Sequence, residues 1–300
     1  MAELSVSQTN QMKTSAMFRR VELRNGRSRL AASRISTARA ALAKCTLCAH
    51  HCRVNRLLNQ RGQCGAGPVP RIHLAQVEMA DELELIPTFG IALSGCNMRC
   101  AFCITGAQSW EPFAGELITP GDLACLAKDA LANGARTVTF HGGEPTLHIP
   151  FLLETVAELP TDAKLVLKTN ALCTATARKL LVGLFDVWCA DYKFGNDDCA
   201  ERLATVQNYT RTVRENLLWA AAHTDLIVRH LLMPGHIDCC WAPVAEWLAA
   251  NLPGAKVSLR TGFWPAWQSY LHAELRGTIN QNELEKAVEI ARKFKLNLIE

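Results

Sequence analysis

Six short apolar runs rich in β-branched and aromatic side chains punctuate the chain: Ile91–Ser94, Thr137–Phe140, Leu165–Thr169, Val187–Ala190, Ile227–Leu232 and Val257–Leu259. Each reads as a buried strand. Between them lie amphipathic segments near Gly121–Leu131, Pro150–Leu159, Thr174–Leu184, Arg211–Ala222 and Trp241–Leu252. Strand and helix patterns alternating at this spacing predict a parallel sheet covered by helices, an α/β fold. A last helix starts at Asn280, which can cap it with Glu283 three residues on, and buries Leu284, Ala287, Val288, Ala291 and Phe294. No dinucleotide glycine fingerprint opens any of the helices, so six βα units suggest an incomplete parallel (β/α)6 barrel. A doubly wound sheet is the alternative.

Three regions are expected. Residues 1–36 are rich in Ser, Thr and Arg and poor in apolar residues, which predicts a flexible basic extension. Residues 37–84 form a cysteine-rich appendage, entered by a short helix over Thr37–Lys44, and residues 85–300 form the barrel. The hydrophobic fraction of 49% over 300 residues is enough for a sizeable core. A net charge of +4 does not indicate nucleic acid, but residues 1–44 hold nine Lys/Arg against Glu3 and Glu22. An arm for RNA or an acidic partner is one reading of that imbalance, and a solvated extension is the other. No apolar run approaches the roughly 18 residues of a membrane helix, and no secretory pattern opens the chain. A cytoplasmic protein without a membrane partner is expected.

Thirteen cysteines change the picture, because seven of them fall in two tight runs. In a reducing compartment such runs bind metal or iron–sulfur more often than they form disulfides. Cys96, Cys100 and Cys103 follow the first strand directly as CNMRCAFC. Three soft thiolates in one loop can hold an iron–sulfur cluster and leave one iron open for an exchangeable ligand. Zinc and unligated core thiols are the rival readings. The other run, Cys45, Cys48, Cys52 and Cys64, has the spacing of a closed four-thiolate site for zinc or a second cluster, with His50 and His51 as substitute ligands. After the second strand comes His141-Gly142-Gly143-Glu144-Pro145-Thr146. Two glycines let backbone approach a ligand closely, and a carboxylate suits an ammonium.

The spacing CxxxCxxC with Phe102, followed by Gly142–Pro145, resembles the signature of the radical S-adenosylmethionine (SAM) superfamily. Lys168-Thr169-Asn170, Asp191-Tyr192-Lys193 and the segment Val228–His236 resemble pyruvate formate-lyase activating enzymes and their relatives, over about Cys45 to Gly262. The resemblance implies an oxidoreductase that places a 4Fe–4S cluster on Cys96, Cys100 and Cys103. It would cleave SAM reductively to a 5′-deoxyadenosyl radical and abstract a hydrogen from its substrate. By the same resemblance Gly142, Gly143, Glu144 and Pro145 meet the methionine amino group, Thr169 and Asn170 meet the cofactor, and Lys193 pairs with the methionine carboxylate. Asp191 would help hold a monovalent cation, although Lys168 stands where those enzymes carry an aspartate. Arg229 or His230 would meet adenosine or substrate. No catalytic side chain is implied beyond the cluster and SAM. Implied partners are an electron donor such as flavodoxin or ferredoxin and a glycyl radical protein. The alternatives are another peptide, an RNA or a small molecule as substrate, or a non-catalytic iron–sulfur protein for electron transfer or sensing. Cys125, Cys173, Cys189 and Cys199 read as structural, and Cys239 and Cys240 lie near where substrate could enter.

Overall fold

The six expected strands all form, and alternation along them sets two surfaces. The computed structural model describes residues 26–80 and 82–299. Its sheet runs in chain order through β1 (Ile72–Glu78), β2 (Thr88–Leu93), β3 (Thr137–Gly142), β4 (Leu165–Thr169), β5 (Val187–Asp191), β6 (Asp225–Leu231), β7 (Lys256–Arg260) and β8 (Asn297–Ile299). Among the described residues only the β1–β2 pair of strands is antiparallel, and β1 and β8 stand at the two edges of the sheet, which is a partial barrel. Side chains such as Leu165, Leu167, Trp188, Ala190 and Val228 face the helices in the main core. Their neighbours Val166, Val187, Cys189 and Ile227 face the lumen, where Leu85 joins them just before β2.

The covering helices are α1 (residues 26–41), α2 (Ala107–Trp110), α3 (Pro120–Ala132), α4 (Ile149–Glu158), α5 (Ala175–Leu181), α6 (Asp197–Ala204), α7 (Tyr209–His223), α8 (Ala242–Asn251) and α9 (Gln281–Lys293). Side-chain caps fix several starts. Thr119 accepts from the Asp122 amide, Thr174 from that of Ala177 and Asn196 from that of Cys199, while Asn280 and Glu283 make the expected capping box.

Helix α1 departs from the expectation of a flexible extension through residue 36. Ala31, Ala38 and Leu42 are buried along one stripe. Arg27, only 3% exposed, donates to Ala163 O at 2.7 Å and to Asp186 Oδ2 at 2.8 Å. Arg34 donates to the carbonyls of Leu180 and Val182, and Arg39 pairs with Glu154. Three of the basic residues counted as a possible arm therefore tie the helix to the barrel. The rest of the expected extension, residues 1–25, lies outside the described residues. Arg27→Ala removes the donor to Ala163 O and the cation beside Asp186, which keeps the Leu165 amide, so it is expected to cost about 1–3 kcal/mol. Denaturant unfolding monitored by circular dichroism checks this.

Candidate active site

The C-terminal ends of four neighbouring strands build the site. The cysteine loop follows β2, with Cys96 and Cys100 buried and Cys103 partly exposed. Its shape is held from outside: the amides of Arg99 and Ala101 donate to the carbonyls of Ala204 and Leu203 at the end of α6, at 2.9 and 2.8 Å. Phe102 anchors the loop between the rings of Phe194 and Phe263. The turn after β3 lies against the same loop. The Gly143 amide donates to Leu93 O at 2.7 Å and the Glu144 amide to Gly95 O at 2.9 Å. A Cβ at residue 143 would stand 2.0 Å from Gly95 O, so this approach needs glycine.

Glu144 is fully buried. Its Oε1 accepts from the Thr146 amide (3.0 Å), the Thr146 hydroxyl (2.6 Å) and the Thr169 hydroxyl (2.8 Å), and its Oε2 from the Asn170 amide (2.8 Å). Burial pushes the carboxyl above its ordinary range, and these bonds oppose the shift. The residue expected to face an ammonium is thus a brace between the ends of β3 and β4, with Pro145 and Thr146 buried in the following turn. Asn170, positioned by that brace, donates to Asn97 Oδ1 at 2.7 Å and lies 3.7 Å from Cys96 Sγ.

From the end of β5, Lys193 Nζ meets Asp191 Oδ2 at 2.5 Å. The carboxylate expected to serve a monovalent cation is therefore already neutralised by an ammonium. Burial alone would lower the Lys193 pKa, but Asp191 and the nearby Cys100 hold it above its ordinary value. Burial pushes Cys100 up to about 12, with Lys193 opposing, and pushes Cys96 well above its ordinary value. The expectation for His230 fails because alternation turns it outward. It is buried, with Nδ1 2.6 Å from Tyr192 O and its ring against Trp241. Arg229 does face the lumen, where its Nε lies 2.9 Å from the buried Glu82. Ser258 also donates to Glu82, and His141 lies 3.4 Å from Glu78.

Sequence reasoning missed Glu82, Asn97 and Tyr209, whose hydroxyl accepts from the Lys193 amide at 2.7 Å. Asn97 could have been noticed between two of the loop cysteines. Glu82 and Tyr209 carry no local signal, since long-range packing alone brings them to the site.

Cys48 interacts electrostatically with Cys45 and Cys64, and Cys64 with Cys52, but no three of these four thiols close to within 4.8 Å of one another. Their segment is tied to the barrel site rather than hanging from it. His50 Nε2 lies 2.7 Å from Asn97 O, Arg99 donates to Gln63 O at 2.7 Å, and the buried Arg56 donates to Leu147 O at 2.6 Å.

The donor set of the β2 loop fits a cluster. Its three thiols share one loop, and the Met98 amide donates to Cys96 Sγ at 3.4 Å. A tetrahedral zinc ion with Zn–S of about 2.3 Å needs sulfurs about 3.8 Å apart. Cys96, Cys100 and Cys103 do not close to within 4.8 Å of one another, which suits a multi-iron cluster better than one ion.

Residues 91–248 match the radical SAM superfamily. A 278-residue alignment at 30% identity links the chain to an uncharacterized protein of Methanocaldococcus jannaschii, MJ0674, over 89% of this chain and 79% of that one. The 7-carboxy-7-deazaguanine synthase of Methanothermobacter thermautotrophicus is 30% identical over 103 residues, which is 34% of this chain and only 40% of that enzyme. SuiB from Streptococcus suis, solved with SAM bound, is similar in fold, with a TM-score of 0.52 at 14% identity over 68% of this chain and 47% of that one. The chain belongs to the radical SAM superfamily, and the cofactors of that family, a 4Fe–4S cluster and SAM, are those that its three-thiol loop and glycine turn fit.

Proposed function

We propose that the protein reductively cleaves SAM and abstracts a hydrogen atom from a glycine in a partner polypeptide, as a glycyl radical activating enzyme does. The observation that carries the first half is the convergence of three thiols, the Gly142–Gly143 turn, Asn170 and Lys193 at adjoining strand ends. When bound, the cluster and SAM supply one electron and a 5′-deoxyadenosyl radical, chemistry that belongs to the cofactors rather than to the protein. In this reading Cys96, Cys100 and Cys103 hold the cluster. The glycine turn admits the methionine amino group against backbone, and Lys193 meets the carboxylate. Asn170, held by Glu144, fixes the thiol loop against β4. The Cys45–Cys64 run, tied to the same loop through His50 and Arg99, suits a second iron–sulfur cluster on the route of electron supply.

The rim and lumen favour a polypeptide substrate. Ile104, in the cysteine loop, is 81% exposed, and Trp264, beyond β7, is 68% exposed. Trp267, Tyr270 and Leu271 extend this apolar edge, with Trp267 packed on Trp110 and Gly106 beside the loop. A contiguous exposed apolar edge is a protein-docking feature. The lumen below is polar, with Glu78, Glu82, His141 and Arg229. Such a lumen suits the bare amides and carbonyls of a glycine-bearing loop.

With a strong one-electron reductant and no oxygen, the reconstituted protein is expected to convert SAM to methionine and 5′-deoxyadenosine, slowly when alone. A fully loaded, reducible cluster that yields no 5′-deoxyadenosine would instead favour a non-catalytic electron carrier. Trp264→Ser is expected to raise the KM for a polypeptide substrate several-fold while leaving uncoupled cleavage unchanged. An unchanged KM would remove the rim from the docking surface.

A further inference from the structure

We propose that Cys199, His236, Cys239 and Cys240 bind one structural Zn2+ ion, at a site separate from both cysteine runs and independent of the reaction proposed above. Their ligand atoms all lie within 4.8 Å of one another, the single such group among the described residues. His236 Nδ1 is 3.2 Å from Cys239 Sγ and 3.6 Å from the sulfurs of Cys199 and Cys240. Cys239 Sγ is 3.9 Å from both Cys199 Sγ and Cys240 Sγ. Tetrahedral zinc with Zn–S of about 2.3 Å and Zn–N of about 2.0 Å requires S···S near 3.8 Å and S···N near 3.5 Å. Five of the six separations are within about 0.3 Å of those values, and the sixth, Cys199 Sγ to Cys240 Sγ, is under 4.8 Å. The 3.9 Å sulfur separations are far from the roughly 2.05 Å of a disulfide.

The surroundings are those of a built site. A metal-bound histidine usually directs its other ring nitrogen at a carboxylate, which fixes tautomer and orientation. Here His236 Nε2 faces Glu274 Oε1 at 3.7 Å, and Glu274 is itself paired with Arg202. Asn196 Nδ2 lies 3.3 Å from Cys199 Sγ and donates to Cys239 O at 2.7 Å, joining the two halves of the site. Cys239 and Cys240 are neighbours in a π-helical turn, Ile237–Trp241, a widened helix form found often at functional sites. Gly195 passes so close to this turn that a Cβ there would stand 2.5 Å from Cys240 O. Cys199, His236 and Cys240 are buried and Cys239 is half-buried, so four protein ligands close the ion from water. A closed Cys3His set is a structural zinc site, since a catalytic one keeps a position open. Three thiolates around Zn2+ leave one net negative charge, and the Arg202 guanidinium, shared with Glu274, lies beside Cys199.

The site joins α6 to the segment after β6. The end of α6 in turn accepts the Arg99 and Ala101 amides of the radical-site loop. The ion would staple one wall of the active site without touching its chemistry.

Anomalous diffraction from crystals of the full chain, collected on both sides of the zinc absorption edge, tests this directly. One peak between these four atoms that appears only above the edge is expected. Its absence, a peak already present below the edge, or a disulfide joining two of the sulfurs would overturn the proposal. In solution, Cys239→Ser and His236→Ala are each expected to lower zinc by about one equivalent per chain without loss of iron. Zinc content unchanged in both folded variants would refute it as well.

Discussion

Replacing Cys96, Cys100 and Cys103 together by alanine is expected to remove every iron of the barrel cluster and to reduce 5′-deoxyadenosine formation below detection. The three residues are brought together by one loop whose backbone hangs on α6 and whose Phe102 is wedged between Phe194 and Phe263. None of those supports depends on the thiols, so the variant keeps its fold and loses only ligands. Burial holds Cys96 and Cys100 protonated when free, the latter up to about 12. Metal binding must therefore displace protons, and assembly is expected to become more complete as pH rises from neutral. Iron and sulfide content together with visible charge-transfer absorption report the loss. The comparison is made in a background where Cys45, Cys48, Cys52 and Cys64 are also replaced, so that the second run contributes nothing. Full iron content in the triple variant would overturn the assignment.

The βα alternation and the two glycines beside the cysteine loop were legible in the sequence because each is a local signal. A buried strand such as Leu165–Thr169 is apolar throughout, and its flanking helix has a period of its own. Edge strand β1 was not legible, since Ile72–Glu78 mixes exposed polar and half-buried positions as an edge does. Helix α1 was misread because its inward stripe is made of Ala31 and Ala38 with the aliphatic and hydrogen-bonding surface of Arg27. Apolar counting scores such a face as weak, while the structure uses arginine as its anchor. The outward turn of His230 follows from strand parity, which sets it on the face opposite Arg229; both faces of β6 are largely buried, so no local signal marks the lumen side. The Cys199–His236–Cys239–Cys240 group left no spacing motif because Cys199 and His236 stand 37 residues apart on separate elements.

Glu144 and Lys193, which resemblance would place at the two ends of the same cofactor, are expected to fail in different ways. Glu144→Ala leaves the Thr146 and Asn170 amides and the Thr169 hydroxyl without their acceptor in a buried site. Buried donors without partners cost about 1–3 kcal/mol each, so a loss of at least about 3 kcal/mol of stability is expected, seen as a large fall in Tm. Glu144→Gln should recover part of this, because its carbonyl oxygen can keep the three bonds to Oε1 and only the Asn170 amide would meet a donor. The Lys193 side chain is partly exposed, and its ammonium pairs with Asp191. Lys193→Ala should therefore unfold nearly as the native protein does while weakening SAM binding by about 1.5–3 kcal/mol, the worth of a charge-assisted bond to the carboxylate. That is roughly a tenfold to 150-fold rise in Kd, and misplacing the sulfonium should slow cleavage as well. Calorimetric titration of SAM alongside thermal unfolding separates the two residues. If Glu144→Ala remains as stable as the native chain and loses only SAM affinity, Glu144 is a direct ligand of the ammonium rather than the brace its four hydrogen bonds describe.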